Sequence, residues 1–218
     1  MKAQDIYDLL RAGGLSRAGA LGMLGNMQAE SGLKENIAQR GMTTLSDEEY
    51  TRRADAGTID FVHDGVGYGL YQLTYFSRKQ AYLNKARSSG KSVGDGPQQV
   101  EFALEELCTD YPALLLKLCS SDDIDDCTDS ICRDFERPAV NNYLTRRAFA
   151  HNFEAECIDR DPTPAPSPDG EQDFPPDPSV MVIQAVMQFN GYWGAIDGRK
   201  SADFFKCLRQ FVEDMEVC

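Results

Sequence analysis

The sequence predicts a mainly α (α+β) domain followed by a small helical module, on three observations. Apolar residues recur at helical spacing through most of residues 1–157, punctuated by serine caps and glycine stops. One short stretch, Thr58-Ile59-Asp60-Phe61-Val62, alternates as a strand does, and Asp64-Gly65 suits a hairpin turn after it, giving one wall of a cleft. Over residues 158–178 the composition changes, with seven of the chain's ten prolines and six acids, so an extended charged tether divides residues 1–157 from a module at 179–218.

Residues 3–12 read as a short helix with Ile6, Leu9 and Leu10 on one face, closing at Gly13-Gly14. In the next helix Leu15, Ala18, Leu21, Leu24 and Met27 keep helical spacing, Ser16 caps the start and Gly32 stops the end. Glu30 therefore falls in the last turn of a mostly apolar helix. Helix carbonyl ends carry partial negative charge, and apolar surroundings disfavour an ionised carboxyl, so the position suits a proton donor.

Ser46 and Glu49 form a capping box for a helix that Gly57 ends, and Ser77 is expected to cap another that Gly90 stops. Between them, glycines 65, 67 and 69 let the backbone pass close to a ligand beside Tyr68, Tyr71, Gln72 and Tyr75. Aromatic faces and amides are what a pyranose ring needs, for stacking and for its hydroxyl and acetamido groups. Helices at 97–108, 112–120 and 123–136 supply core positions such as Phe102, Leu104, Leu107, Leu114, Leu115, Leu118, Ile131 and Phe135. Pro138 ends the third of these, and Glu136 reads as half of an ion pair with Arg137 or Arg133 in preference to a cleft residue. Asn141-Asn142-Tyr143 opens the last helix of the domain, with an asparagine as cap. Beyond the tether, Val180, Ile183, Val186 and Met187 mark one helix, and Phe204, Phe205, Leu208 and Phe211 a second, capped by Ser201.

Ala29-Glu30-Ser31-Gly32-Leu33 resembles the Glu-Ser segment of goose-type lysozymes and soluble lytic transglycosylases, in which the glutamate ends a helix and is the catalytic acid. Gly67-Tyr68-Gly69-Leu70-Tyr71-Gln72 is similar to the Gly-Leu-x-Gln segment that lines the sugar groove opposite that acid. With Phe61-Val62-His63-Asp64-Gly65 and Phe135-Glu136-Arg137-Pro138, the run most resembles phage tail lysozyme-like cell-wall hydrolases over roughly residues 5–155. The resemblance implies a lysozyme-like fold and a muramidase that cleaves the β-1,4 bond between N-acetylmuramic acid and N-acetylglucosamine.

In that reading Glu30 is the general acid and Asp64, close to where goose-type enzymes place an aspartate, activates water. Ser31, Tyr68, Gly69, Leu70, Gln72, Tyr75 and Asn141 are its substrate contacts. Thr74 stands where those enzymes carry a further aspartate, which keeps open a lytic transglycosylase that uses Glu30 and the sugar's own 6-hydroxyl. A non-catalytic wall-binding or tail structural protein is the alternative of a different class. A thiol peptidase using His63 or His151 lacks a recognisable partner motif.

Residues 190–198 resemble the centre of the small helical peptidoglycan-binding domain, a likeness that covers 179–213 and implies wall contacts from Tyr192, Trp193 and Asp197. Arg199-Lys200-Ser201-Ala202 replaces that family's Gly-Pro-x-Thr turn.

A formal charge of −13 argues against nucleic acid as a partner, leaving peptidoglycan strands held by short-range sugar contacts. No apolar run is long enough to insert in a membrane, and the N-terminus lacks the apolar core of a secretory signal. Synthesis in the cytoplasm and delivery to the wall by a holin or the virion are therefore expected. The seven cysteines contain no CxxC pair, so reduced, buried thiols are expected, with no metal and no cofactor.

Overall fold

The computed structural model describes residues 1–159, of which Met1–Ile158 form a compact unit. The tether and the C-terminal module, with Tyr192, Trp193 and Asp197, lie outside the described residues.

Helix α1 (Ala3–Ala12) buries Ile6, Tyr7 and Leu10. Helix α2 (Arg17–Ser31) starts where Ser16 Oγ accepts from the Gly19 N–H and stops at Gly32, whose φ of 62° is left-handed. Every residue from Ala18 to Met27 is buried, so α2 is the axis of the domain rather than an amphipathic surface helix. Three glycines spaced by three residues make this possible. Gly19 lies against the Leu118 backbone, Gly22 against Cys127 and Thr128, and Gly25 against Arg146 and Ala150. A Cβ at Gly25 would stand 2.6 Å from the Arg146 carbonyl oxygen and 2.8 Å from Ala150 Cβ.

Helix α3 (Asp47–Asp55) begins at the Ser46 cap, which accepts from the Glu49 N–H. The expected strand at 58–62 does not form. Phe61 and Val62, adjacent in sequence, are both buried, which a strand with alternating faces would forbid, and the chain turns back so that the Asp64 N–H reaches the Asp60 carbonyl at 3.1 Å. The β pairing that exists comes slightly later, as two isolated antiparallel bridges, Ala38 with Tyr68 and Tyr68 with Leu73. The turn between Tyr68 and Leu73 holds Gly69 at φ 79° and Gln72 at φ 48°. No longer strand occurs among the described residues.

Helix α4 (Phe76–Ser89) begins one residue before the expected Ser77 cap, with Tyr75 flanking it and no side-chain cap, and it ends at left-handed Gly90. Helix α5 (Gly96–Asp110) is capped by Asp95, which accepts from the Gln98 N–H, and α6 (Pro112–Ser120) follows directly. The helix predicted at 123–136 is two pieces. Helix α7 (Ile124–Ser130) continues as one π-helical turn, Ile131–Glu136, closed by Arg137 at φ 51° before Pro138. Helix α8 (Tyr143–Glu156) starts after Asn142, whose side chain makes no capping bond. Helices α1, α6, α7 and α8 surround α2. Cys127, Cys132 and Cys157 are buried, and burial pushes the Cys157 thiol up to about 11, which keeps it inert.

Candidate active site

The last turn of α2 carries Glu30, and its surroundings are set by the close crossing of α8 at Gly25. That crossing brings Arg146, itself buried, alongside α2. Its Nη1 donates to Asn26 Oδ1 at 2.9 Å and its Nη2 to Glu30 Oε1 at 2.5 Å. Asn26 is held in turn by donating to the carbonyls of Gly22 (2.9 Å) and Thr128 (3.0 Å). A buried amide thus fixes the guanidinium, and the guanidinium fixes the carboxyl, whose side chain keeps 19% of its surface in solvent.

The glycine-containing segment is fastened to α2 by Ser31, whose Oγ lies 2.9 Å from the Met27 carbonyl and 2.8 Å from the Leu70 carbonyl. The Leu70 N–H donates to Gln99 Oε1 at 2.8 Å, and a Cβ at Gly69 would sit 2.5 Å from that same oxygen. Gly69 therefore makes room for Gln99. Tyr68 is 1% exposed, with its hydroxyl 2.6 Å from Thr51 Oγ1 and its ring between Tyr50 and Phe61. The expected sugar contacts Ser31, Tyr68, Gly69 and Leu70 thus form the joint that positions the wall. Asn141 is exposed, bonded to the Tyr143 hydroxyl at 2.9 Å, and does not line the cleft.

Gln72 and Tyr75 do line it. The cleft encloses about 580 Å³ between Glu30, Gln39, Gln72, Tyr75, Arg78 and Glu136, among others, a size suited to a small-molecule or sugar ligand. Gln72 Nε2 donates to the Gly69 carbonyl at 3.1 Å, which anchors its amide. Tyr75 is 63% exposed and packs against the Phe76 ring at 4.8 Å.

Asp64 is not among the lining residues. Its carboxylate accepts from Lys79 Nζ at 2.7 Å, from the Tyr50 hydroxyl at 2.6 Å and from the Val66 N–H at 3.0 Å. Lys79 also donates to the Val66 carbonyl at 2.8 Å, so Asp64 is the counter-charge of a buried lysine.

The second carboxyl lining the cleft is Glu136. Both arginines expected to pair with it turn elsewhere. Arg133 Nη2 meets Asp134 at 2.7 Å, and Arg137 Nε donates to the Asp134 carbonyl at 2.8 Å. Glu136 as a residue is half-buried, but its Oε1 is shielded from solvent and has no hydrogen-bond partner among the described residues. Burial, and then the charge of Glu30, push this carboxyl up to about 8.

The phage tail lysozyme family matches the chain over residues 1–155. The chain belongs to that family. No individual curated protein matches it. Family membership makes this a lysozyme-like, wall-lytic protein whose substrate is peptidoglycan, and its mainly helical domain agrees with that fold. No helix among the described residues is long and apolar enough to cross a membrane.

Two residues of this phage tail lysozyme site had faint signals in the sequence. Asn26 is a lone amide in an apolar helical run, and a buried amide demands partners. Glu136, like Glu30, is an acid at the end of a helical segment, just before its break. Arg146 carried no local signal at all.

Proposed function

We propose that this chain cuts the β-1,4 bond between N-acetylmuramic acid and N-acetylglucosamine, with Glu30 as the acid that protonates the leaving oxygen. The observation that carries the reading is a helix-end carboxyl, fixed by the buried Asn26–Arg146 pair, lining a sugar-sized cleft with Gln72 and Tyr75. An aromatic ring and anchored amides suit a pyranose with acetamido groups. Arg40 and Arg137 on the lining suit the carboxylate of a muramyl unit, while Arg78 beside them is paired with Glu106.

Hydrolysis needs a base to activate water. Asp64, expected in that role, is committed to Lys79 and Tyr50. That favours the second reading, a lytic transglycosylase in which the muramyl 6-hydroxyl attacks the anomeric carbon and the group that gave up its proton takes the new one. Turbidity clearing by wild type and Glu30→Gln, with mass spectrometry of the products, tests both. Loss of clearing in the variant is expected, and equal clearing rejects the role of Glu30. Anhydro-muropeptides mark transglycosylation and reducing ends mark hydrolysis. Residues 179–218 are proposed as a wall-binding module behind the 158–178 tether, testable by pull-down of the full chain on purified walls against a chain ending at residue 158.

A further inference from the structure

The cleft lining holds two carboxyls, Glu30 and Glu136, where the sequence pointed to Glu30 and Asp64, and the polar groups around them are left incompletely paired. Glu30 comes from the end of α2 and Glu136 from the end of the π-helical turn, and both line the cavity. Oε1 of Glu136 is shielded and has no partner among the described residues. The same holds for Nε of Arg146, the residue that grips Glu30 through Nη2. A buried carboxyl oxygen without a donor costs roughly 1–3 kcal/mol, and more when charged, so leaving it unpaired needs a reason.

The charged and titratable groups around Glu136 come from several elements. Glu30 of α2 and Glu106 of α5 raise its proton affinity, while Arg78 of α4 and Arg146 of α8 oppose it, and Tyr71 and Cys132 stand nearby. Arg78 is already engaged by Glu106 through two bonds, at 2.7 and 2.8 Å, and Arg146 by Glu30 and Asn26. Arg78 and Arg146 are thus committed to other carboxyls, and Arg137, on the same lining, turns its Nε to the Asp134 carbonyl, so Glu136 Oε1 stays without a donor among the described residues, beside an arginine-held neighbour.

We propose that Glu30 and Glu136 work as one proton-sharing pair, in which Glu136 stores the proton that Glu30 delivers to the leaving sugar oxygen. This rests on the reading of Glu30 as the acid. In the step, the bond from the muramyl C1 to O4 breaks, its electron pair goes to O4, and O4 takes the pair's proton. The attacking oxygen, the 6-hydroxyl or water, forms its bond to C1 and returns its proton to Glu30, so the pair again holds one proton. Glu136 is thus a positioning residue that acts through Glu30.

The test is the pH profile of wall clearing for wild type, Glu136→Gln and Glu136→Asp, with a carboxyl ¹³C titration of wild type and Glu30→Gln. Glu136→Gln is expected to move the alkaline limb to lower pH by about a unit or more, so that clearing falls about tenfold near pH 8 and little in acid. Glu136→Asp is expected to restore most of the limb. A Glu136→Gln limb that superimposes on that of wild type after scaling overturns the proposal. In the titration, the Glu136 signal is expected to shift to lower pH once the charge at position 30 is removed, and an unmoved signal overturns the pairing even where no clearing is measured. Wild type that titrates as a coupled pair yet clears no walls rejects the glycosidase reading instead.

Discussion

Lys79 Nζ lies 2.7 Å from Asp64 Oδ1 with no part of the lysine side chain exposed to solvent. A buried ammonium stripped of its counter-charge costs about 3–5 kcal/mol, and the partial exposure of Asp64 places this case at the lower end. Asp64→Asn is therefore expected to lower stability strongly while leaving clearing per folded molecule almost unchanged at low temperature. Burial already holds Lys79 below the usual lysine range, with Asp64 opposing. Without Asp64 the folded-state value drops further, so the variant should regain stability as pH rises from that value toward that of an unfolded lysine. Urea unfolding at neutral and alkaline pH checks this. Lost clearing at undiminished stability would return Asp64 to catalysis.

Gly25 is a point at which α8 packs directly on the axis helix. A methyl group there meets backbone at 2.6 Å and the Ala150 side chain at 2.8 Å, neither of which can swing aside. Gly25→Ala should gain helix propensity of about 1 kcal/mol and lose about 1–3 kcal/mol or more to overpacking, for a net loss. Because α8 carries Arg146, the same change should displace the guanidinium from Glu30 and slow clearing beyond what the fraction unfolded explains. Thermal melts paired with initial clearing rates separate the two effects.

The shielded carboxyl of Glu136 also ties stability to pH. Its folded-state value of about 8 stands above an ordinary 4.5, so the native state holds a proton that the unfolded chain has released between those limits. Stability should fall as pH rises through that window, by about 1.4 kcal/mol per unit at the steepest. Glu136→Gln should flatten the slope and be more stable than wild type near pH 8. His151, raised by Glu154 and Asp125, loses stabilisation above its ordinary 6.5 in both proteins and cancels in the comparison. Unfolding free energies at four pH values across the window are the measurement.

What could be read from the chain divides by the range of the interaction. The ends of α2 and the start of α3 were legible because Ser16, Gly32 and Ser46 act on their own backbone within a few residues. The strand at 58–62 failed because two buried neighbours, Phe61 and Val62, looked like alternation once Ile59 was counted with them. The ion pair of Asp64 was not legible because its partner Lys79 is fifteen residues away and buried lysines are rare. Glu136 had arginines within reach in sequence, yet Arg133 and Arg137 both turn to Asp134. The grip of Arg146 on Glu30 spans 116 residues and exists only once Gly25 has let α8 approach.

Arg146 offers the sharpest separation of geometry from charge. Its fork spans Asn26 Oδ1 at 2.9 Å and Glu30 Oε1 at 2.5 Å, and a lysine at this position keeps the charge but cannot present two parallel donors. Arg146→Lys is expected to fold with a modest stability loss and to lower kcat on soluble glycan fragments by about tenfold to a hundredfold, the scale of a misplacement near 1 Å. KM should move little, since Arg146 is not among the lining residues. Arg146→Met should lose the same rate and, in addition, about 1–3 kcal/mol of stability from the unpaired Asn26 oxygen. Replacing Asn26 by Leu in that background should recover part of the stability and none of the rate. A double variant that regains clearing would mean that Arg146 serves the core alone and that Glu30 needs no clamp.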